Sequence, residues 1–229
     1  MTLHHTFARS WGAVLLTGAL TVIACGRGSA SHDDTASAQA ERTAAVAPTV
    51  AAPTTPAPDS FNVRFETSRG PFVARIYRRW APKGADRFYE LVQAHFYDEN
   101  RFFRVVPGFV AQFGINDKPK VNDVWDAKRI PDDSVKQSNG RGTIVFATEG
   151  PNTRTHQLFI NLADNGRLDP MGFAPMGRVV DGMATVDSLY NGYGEQPDQQ
   201  YIQTLGNSYL NRLFPKLDYI KTARVVTSP

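Results

Sequence analysis

The chain has 229 residues, of which 41% are hydrophobic and 11% aromatic, so it carries enough apolar surface to bury the core of one or two domains. Its 25 basic and 22 acidic residues give a formal net charge of +3, and this balance does not indicate a nucleic-acid-binding surface. The single cysteine excludes a disulfide framework within the chain and any metal site built from several cysteines.

The N-terminus, residues 1–24, is typical of a secretory signal peptide. One basic residue, Arg9, precedes the uncharged apolar run WGAVLLTGALTVIA, which is shorter than the roughly 20 residues of a membrane-spanning helix. Cys25 follows, and small or aliphatic residues before a cysteine resemble the lipobox of bacterial lipoproteins. This resemblance implies acylation of Cys25, and two or three acyl chains anchor a protein stably. The alternative is an ordinary signal peptide with an incidental cysteine.

Residues 25–60 are predicted to form the lipidated cysteine and a disordered tether. The stretch after Cys25 is mostly Ala, Thr, Pro and Ser and has no Phe, Trp or Tyr, so it has too little bulky apolar surface to offset chain ordering. We expect an extracytoplasmic protein anchored to the cell-envelope membrane. Because Gly26 rather than Asp follows the cysteine, the lipoprotein pattern implies the periplasmic side of the outer membrane if the cell has two membranes.

Residues 61–229 form the predicted folded domain, and its pattern is rich in strands. Apolar and polar residues alternate on both sides of the turn 68–70, which predicts a hairpin. Further short apolar runs separated by Gly, Pro, Asn and Asp predict strands at 101–106, 109–113, 143–147, 157–162, 173–180 and 219–226. Periodicity leaves a sandwich and a barrel equally open.

Three helices are predicted in the same domain. Apolar residues recur on one face between Pro82 and Phe96, a short helix is marked at 183–190, and another is predicted over 198–214. Residues 191–217, which contain the last of these, look like an insertion before the final strand.

The residues offer little conventional catalytic chemistry. The predicted domain contains two histidines, His95 and His156, and no cysteine, and it has no HExxH, GxSxG, Walker or GxGxxG motif. We expect no metal and no cofactor. Composition and spacing alone therefore predict only a secreted, mostly β domain.

Three motifs resemble the signature segments of the cyclophilin family of peptidyl-prolyl cis/trans isomerases. They are FFRVVPGFVAQ at 102–112; TIVFA, GPNT and HQLFI between 143 and 160; and LD at 168–169 with GRVVDGM at 177–183. Their order agrees with that family across residues 61–191. The resemblance implies an all-β fold, a closed eight-stranded antiparallel barrel capped by two helices, to which the insertion adds a C-terminal helix.

The resemblance also implies a site that needs no nucleophile. The X–Pro bond rotates through a barrier of ~18–20 kcal/mol because the nitrogen lone pair is shared with the carbonyl. Twisting the bond localises that lone pair, and a donor aimed at the nitrogen stabilises the twisted state. Arg104 occupies the catalytic position of the family, and arginine is a donor that keeps its charge. The implied substrate-binding residues are Phe109, Val110, Gln112, Ala147, Thr148, Gln157, Phe159, Leu168 and Phe173, with Met176 as an alternative to Phe173.

Departures from the family pattern affect the predicted site. Val110 replaces the usual methionine, Thr148 replaces a common asparagine, and the loop after Gln112 is divergent. Arg167 stands where some members have the residue tied to cyclosporin sensitivity, so we expect weak cyclosporin binding.

Three functions remain open from the sequence. The leading hypothesis is a prolyl isomerase that assists the folding of extracytoplasmic proteins. It would act, as a monomer, on proline-containing peptides and unfolded secreted proteins, without nucleic acid. The alternatives are a non-catalytic proline-peptide-binding module or holdase, and a structural envelope lipoprotein.

Overall fold

The computed structural model describes residues 56–227, and eight antiparallel strands form one sheet in them. The strands are β1 (Ser60–Thr67), β2 (Gly70–Tyr77), β3 (Arg104–Val106), β4 (Val110–Phe113), β5 (Thr143–Phe146), β6 (Leu158–Asn161), β7 (Pro175–Asp181) and β8 (Ile220–Val226). Their order in the sheet is β3-β4-β6-β5-β7-β2-β1-β8. The predicted all-β fold of eight antiparallel strands is confirmed.

The predicted full closure of the barrel is wrong in detail, because the curled sheet is open between β3 and β8. Among residues 56–227, the segments that precede these two strands meet in one isolated bridge, between Arg101 and Tyr219. Two hydrogen bonds flank it, from Phe102 N to the Asp218 carbonyl and from Ile220 N to the Asn100 carbonyl, both 2.9 Å. β3 is three residues long, so no ladder extends along this seam.

Side-chain alternation in the strands separates an interior from an outer face. The interior is a large apolar cluster rich in aromatic rings, in which Phe65 and Phe72 from the first hairpin stack at 4.6 Å between ring centroids. In β4, Ala111 and Phe113 face this interior, so Val110 and Gln112 face outward. The same alternation in β5 and β6 sends every second residue to the outer face, where the candidate site lies.

Five α-helices and one 3₁₀ helix accompany the sheet in the described part of the chain. They are α1 (Pro82–Gln93), α2 (Pro119–Asp126), α3 (Met183–Asp187), α4 (Gln199–Leu205) and α5 (Asn207–Leu213), with the 3₁₀ helix at Gly166–Met171. The buried Asp133 carboxylate accepts hydrogen bonds from the backbone N–H groups of Lys83 (3.1 Å) and Gly84 (2.8 Å), which fixes the N-terminus of α1 from a distant loop. The sequence interpretation missed α2, whose apolar residues are few.

The helix predicted over 198–214 is two helices, because the chain breaks at Gly206. This glycine has φ 60° and ψ −152°, and a Cβ there would overlap the Asp117 carbonyl oxygen. α5 then restarts with the backbone N–H of Asn207 donating to Oδ1 of Asp117 at 2.7 Å.

The insertion has a core of its own. Its apolar residues pack with Phe103 and Ile115 of the β3–β4 region in a cluster with Ile202, Tyr209, Leu210 and Leu217. Just before β3, Phe102 packs in the barrel interior and Phe103 packs outside it, under the insertion. The insertion therefore covers the outside of the sheet edge that carries Arg104.

The domain begins earlier than the predicted boundary at residue 61. Ala57 is buried in the main core and its N–H donates to the Asp86 carboxylate at 2.8 Å, and Ser60 opens β1. The predicted signal peptide, Cys25 and most of the predicted tether lie outside the described residues. Within residues 56–227, no helix is long and apolar enough to cross a membrane.

Candidate active site

The register of four neighbouring strands aligns the central residues of the site. Arg104 on β3 pairs with Gln112 on β4, Gln112 pairs with Phe159 on β6, and Phe159 pairs with Val145 on β5. Directly paired residues of a sheet project on the same face. The sheet therefore presents a cation, an amide and an apolar floor in one row on its outer face.

A pocket of about 170 Å³ opens over this row. It is lined by all the sequence-predicted site residues except Gln157, namely Arg104, Phe109, Val110, Gln112, Ala147, Thr148, Phe159, Leu168 and Phe173. Its floor is a separate apolar cluster of Val110, Val145, Phe159 and Leu168, all buried. Phe173 closes the wall with its ring edge-on to Phe159, 5.7 Å between centroids, whereas the alternative Met176 lies in the main core.

The Arg104 guanidinium is held from three sides. Nη1 donates to Oε1 of Gln112 at 3.3 Å, and the group lies over the Phe109 ring, 5.3 Å from its centroid. On the third side Nε donates to Oε1 of Glu195 at 2.7 Å, and Nη2 donates to the same oxygen. The sequence interpretation missed Glu195, which comes from the insertion, 91 residues away along the chain.

Gln157 lies one step further from the arginine than the resemblance implies. Nε2 of Gln112 donates to Oε1 of Gln157 at 3.0 Å, so Gln157 supports Arg104 only through Gln112. Both glutamines, with Ala147 and Thr148, also line a larger polar cavity beside the apolar pocket, of about 370 Å³.

The backbone at Ala147 and Thr148 is only partly free to bind a peptide. The N–H of Ala147 donates to the Gln157 carbonyl at 2.9 Å, so Ala147 offers its carbonyl. The Thr148 hydroxyl lies 2.8 Å from the Thr153 hydroxyl and also bonds Gly150, so this side chain braces its own loop.

A network of buried amides, which the sequence interpretation also missed, holds the part of the pocket wall formed by Phe109 and Phe173. Nδ2 of Asn165 donates to the Phe109 carbonyl at 2.9 Å and to Oδ1 of Asn161 at 2.7 Å. Nδ2 of Asn139 donates to the Phe173 carbonyl at 2.8 Å and to Asp169 at 2.7 Å. The network thereby fixes the backbone of two residues that line the pocket.

Two carboxylates near the site have perturbed acidity. Burial raises the pKa of Asp169, but hydrogen bonds from Ser138 and Asn139 outweigh burial and hold the pKa below its ordinary value. Burial likewise raises the pKa of Asp126 in the polar cavity, and the contact with His156, 2.8 Å from Nε2 to Oδ1, lowers it overall. Among residues 56–227, no group of three or more His, Cys, Asp or Glu side chains could hold a metal ion.

The comparisons agree with this geometry. The family model "Cyclophilin type peptidyl-prolyl cis-trans isomerase/CLD" matches residues 62–206, more than half of the chain. The chain belongs to this family. It is an enzyme of the peptidyl-prolyl cis-trans isomerase class, as its sequence predicts.

Curated cyclophilin-type relatives come from several bacteria. The chain is 34% identical over 134 residues to the peptidyl-prolyl cis-trans isomerase of Acinetobacter baylyi, with 56% of this chain and 71% of the relative covered. It is 34% identical over 149 residues to peptidyl-prolyl cis-trans isomerase A of Dickeya dadantii, with 62% and 77% covered. Isomerase B of Escherichia coli is 31% identical over 136 residues, with 56% and 82% covered.

A solved cyclophilin-type isomerase from Cryptosporidium parvum has the same fold. It aligns with a TM-score of 0.53 and 21% identity, covering 74% of this chain and 99% of the other. That protein has also been solved in the presence of the dipeptide Ala-Pro.

Proposed function

We propose that this cyclophilin is a lipid-anchored, extracytoplasmic prolyl isomerase in which Arg104 stabilises the twisted X–Pro bond. The observation that carries the catalytic part is the register row, in which one arginine stands beside an apolar pocket on the outer face of the sheet. The site residues share this pocket, and the chemistry below assigns each a task.

The apolar pocket holds the proline ring. The ring is apolar and has no N–H to satisfy, so a floor of Val110, Phe159 and Leu168 suits it. The pocket holds the ring in place while the preceding carbonyl group rotates about the X–Pro bond. Gln112 and the carbonyl of Ala147 then bind the extended peptide backbone.

Arg104 supplies the difference in binding between the planar and the twisted bond. In the planar state the nitrogen lone pair is delocalised and accepts no hydrogen bond. In the twisted state the lone pair is localised, and a guanidinium N–H directed at it stabilises that state alone. Gln112 and Phe109 hold the guanidinium over the mouth of the pocket, so little reorganisation is needed.

The test is isomerisation of a short X–Pro peptide, measured by NMR exchange with residues 56–229. The Arg104→Ala variant is expected to lose about 10²–10³ in kcat, the usual cost of one preorganised donor. Arg64→Ala on β1, in a partly exposed ion pair with Glu66, is the matched control and keeps wild-type activity. Equal activity of wild type and Arg104→Ala would remove Arg104 from the mechanism. Saturable peptide binding with no acceleration by wild type would favour the non-catalytic binding module.

The anchoring part of the proposal rests on the sequence of residues 1–60. We infer that Cys25 is acylated and that the tether separates a monomeric domain from the membrane, where it acts on proline-containing segments of unfolded secreted proteins. Metabolic labelling with a fatty acid tests the anchor. Labelled protein in the membrane fraction is expected from wild type, and Cys25→Ser is expected to lose the label. Label retained in Cys25→Ser would contradict acylation at this residue.

A further inference from the structure

A second concavity begins where the proline pocket ends. It is an open groove between the end of β3 and the start of the insertion, about 500 Å³ in volume, lined by Val106, Pro107, Asn191, Gly192, Tyr193, Gly194, Glu195 and Gln196. Glu195 is the one charged residue among those that line it. Because Glu195 contacts Arg104, the groove meets the proline pocket at this ion pair.

The segment that carries Glu195 is a built structure. Two backbone hydrogen bonds, from Gly194 N to the Asn191 carbonyl (3.0 Å) and from Gln196 N to the Tyr193 carbonyl (2.9 Å), close consecutive turns. The Tyr193 ring packs edge-on against Tyr190 and Phe214, each at 5.1 Å between centroids, and this joins the turns to the core of the insertion. The backbone position of Glu195 is therefore set by the fold.

The carboxylate retains binding capacity while it contacts Arg104. Both hydrogen bonds from the guanidinium go to Oε1, and 63% of the Glu195 side chain is exposed. Oε2 takes part in neither of these hydrogen bonds and can accept from a second cation. Arginine has five N–H donors; Glu195 and Gln112 engage three of them, and the other two remain for the substrate.

We propose that this groove is a subsite for the residue next to the substrate proline, and that Glu195 makes it selective for a basic side chain. The inference rests on the proposed function and names a specificity for the same site. Lys and Arg carry long apolar stems, which Val106 and Pro107 contact, and a charged end that reaches Oε2 of Glu195. An acidic side chain in the same place meets the Glu195 carboxylate and is disfavoured.

The neighbouring cation does not cancel this preference. The Arg167 guanidinium lies over the Phe109 ring, 4.7 Å from its centroid, and Arg167 does not line the groove. An acidic residue is attracted to Arg104 as well, but Glu195 already neutralises that guanidinium through two hydrogen bonds.

The test compares peptides that differ only in one residue beside the proline, Lys, Gln or Glu, placed either before or after it. At low ionic strength the ratio of kcat/KM for Lys over Glu is expected to be roughly 1.5-fold to fivefold at one of the two positions, the size of an exposed ion pair. Glu195→Gln is expected to bring that ratio close to one, and Glu195→Lys to reverse it. Glu66→Gln is the matched control, because it removes a partly exposed, ion-paired carboxylate on β1 and changes the net charge equally.

The inference is overturned if Glu195→Gln leaves the ratio unchanged at both positions, or if Glu66→Gln changes it as much. Its failure is distinguishable from failure of the proposed function. If wild type accelerates no peptide, the proposed function is wrong, and the same panel titrated by NMR for affinity still reports whether Glu195 selects Lys over Glu.

Discussion

Asn165 offers the sharpest test of how the pocket wall is held. Its side chain is 1% exposed and donates both of its hydrogens, one to the Phe109 carbonyl and one to Oδ1 of Asn161. The Phe109 carbonyl also accepts from Leu162 N at 2.8 Å, so it keeps a partner when Asn165 is changed. Oδ1 of Asn161, in contrast, has no second hydrogen-bond donor among the residues that the structure describes, so it loses its partner.

The magnitude follows from these contacts. Asn165→Ala removes two hydrogen bonds worth about 1 kcal/mol each and leaves one buried acceptor unpaired at a further cost of about 1–3 kcal/mol. We expect a loss of about 3–5 kcal/mol in the free energy of unfolding, a large part of the usual 5–15 kcal/mol. KM for an X–Pro peptide should rise as well, because Phe109 forms one wall of the pocket.

Asn165→Asp separates hydrogen bonding from packing, since the side chain keeps its shape. At pH 7 a carboxylate would face two acceptor oxygens, and the loss should exceed that of Asn165→Ala. This environment raises the pKa of the introduced carboxyl above its unfolded value of about 3.9. The folded variant then binds a proton more tightly than the unfolded chain, so its deficit shrinks as pH falls from 7 and levels off below about 4.

Urea unfolding at pH 7, 5 and 4 measures both effects, each variant being compared with wild type at the same pH. Asn191→Asp, the same change at an exposed position, is the control and should stay within about 0.5 kcal/mol of wild type. A variant Asn165→Asp as stable as wild type at pH 7, or a deficit that does not change with pH, would refute the argument.

Two further predictions concern the scaffold. Asp98 accepts two hydrogen bonds from Arg224, both 2.7 Å, and although burial raises the pKa of Asp98, these bonds lower it overall. Asp98→Asn should therefore cost about 1 kcal/mol of stability at pH 7. Because the native pKa is depressed, this difference should disappear as pH falls below about 4, which thermal unfolding measured against pH would show. Gly206→Ala forces a side chain into positive φ against the Asp117 carbonyl and should cost at least about 2 kcal/mol in urea unfolding; an unchanged midpoint would mean that the break between α4 and α5 is not obligatory.

Much of the site was readable in the sequence because strand periodicity is local. Alternation in β4 separates Val110 and Gln112 from Ala111 and Phe113, whatever the rest of the fold does. The family motifs then supply roles for residues whose types, an arginine and scattered phenylalanines, carry no catalytic signature of their own. The register of β3, β4, β6 and β5 aligns the central row of the site, and Leu168 and Phe173 complete the pocket from the 3₁₀ helix and the segment after it.

What the tertiary structure decided depends on contacts between distant segments. Glu195 meets Arg104 because the insertion folds back over the edge of the sheet, and no periodicity links two residues 91 positions apart. The Asn139, Asn161 and Asn165 network is likewise invisible in sequence, since isolated asparagines are common and only burial makes their pairing obligatory. Local patterning sets which way each side chain faces, but long-range packing sets which charges and amides meet there, and these decide the specificity of the site.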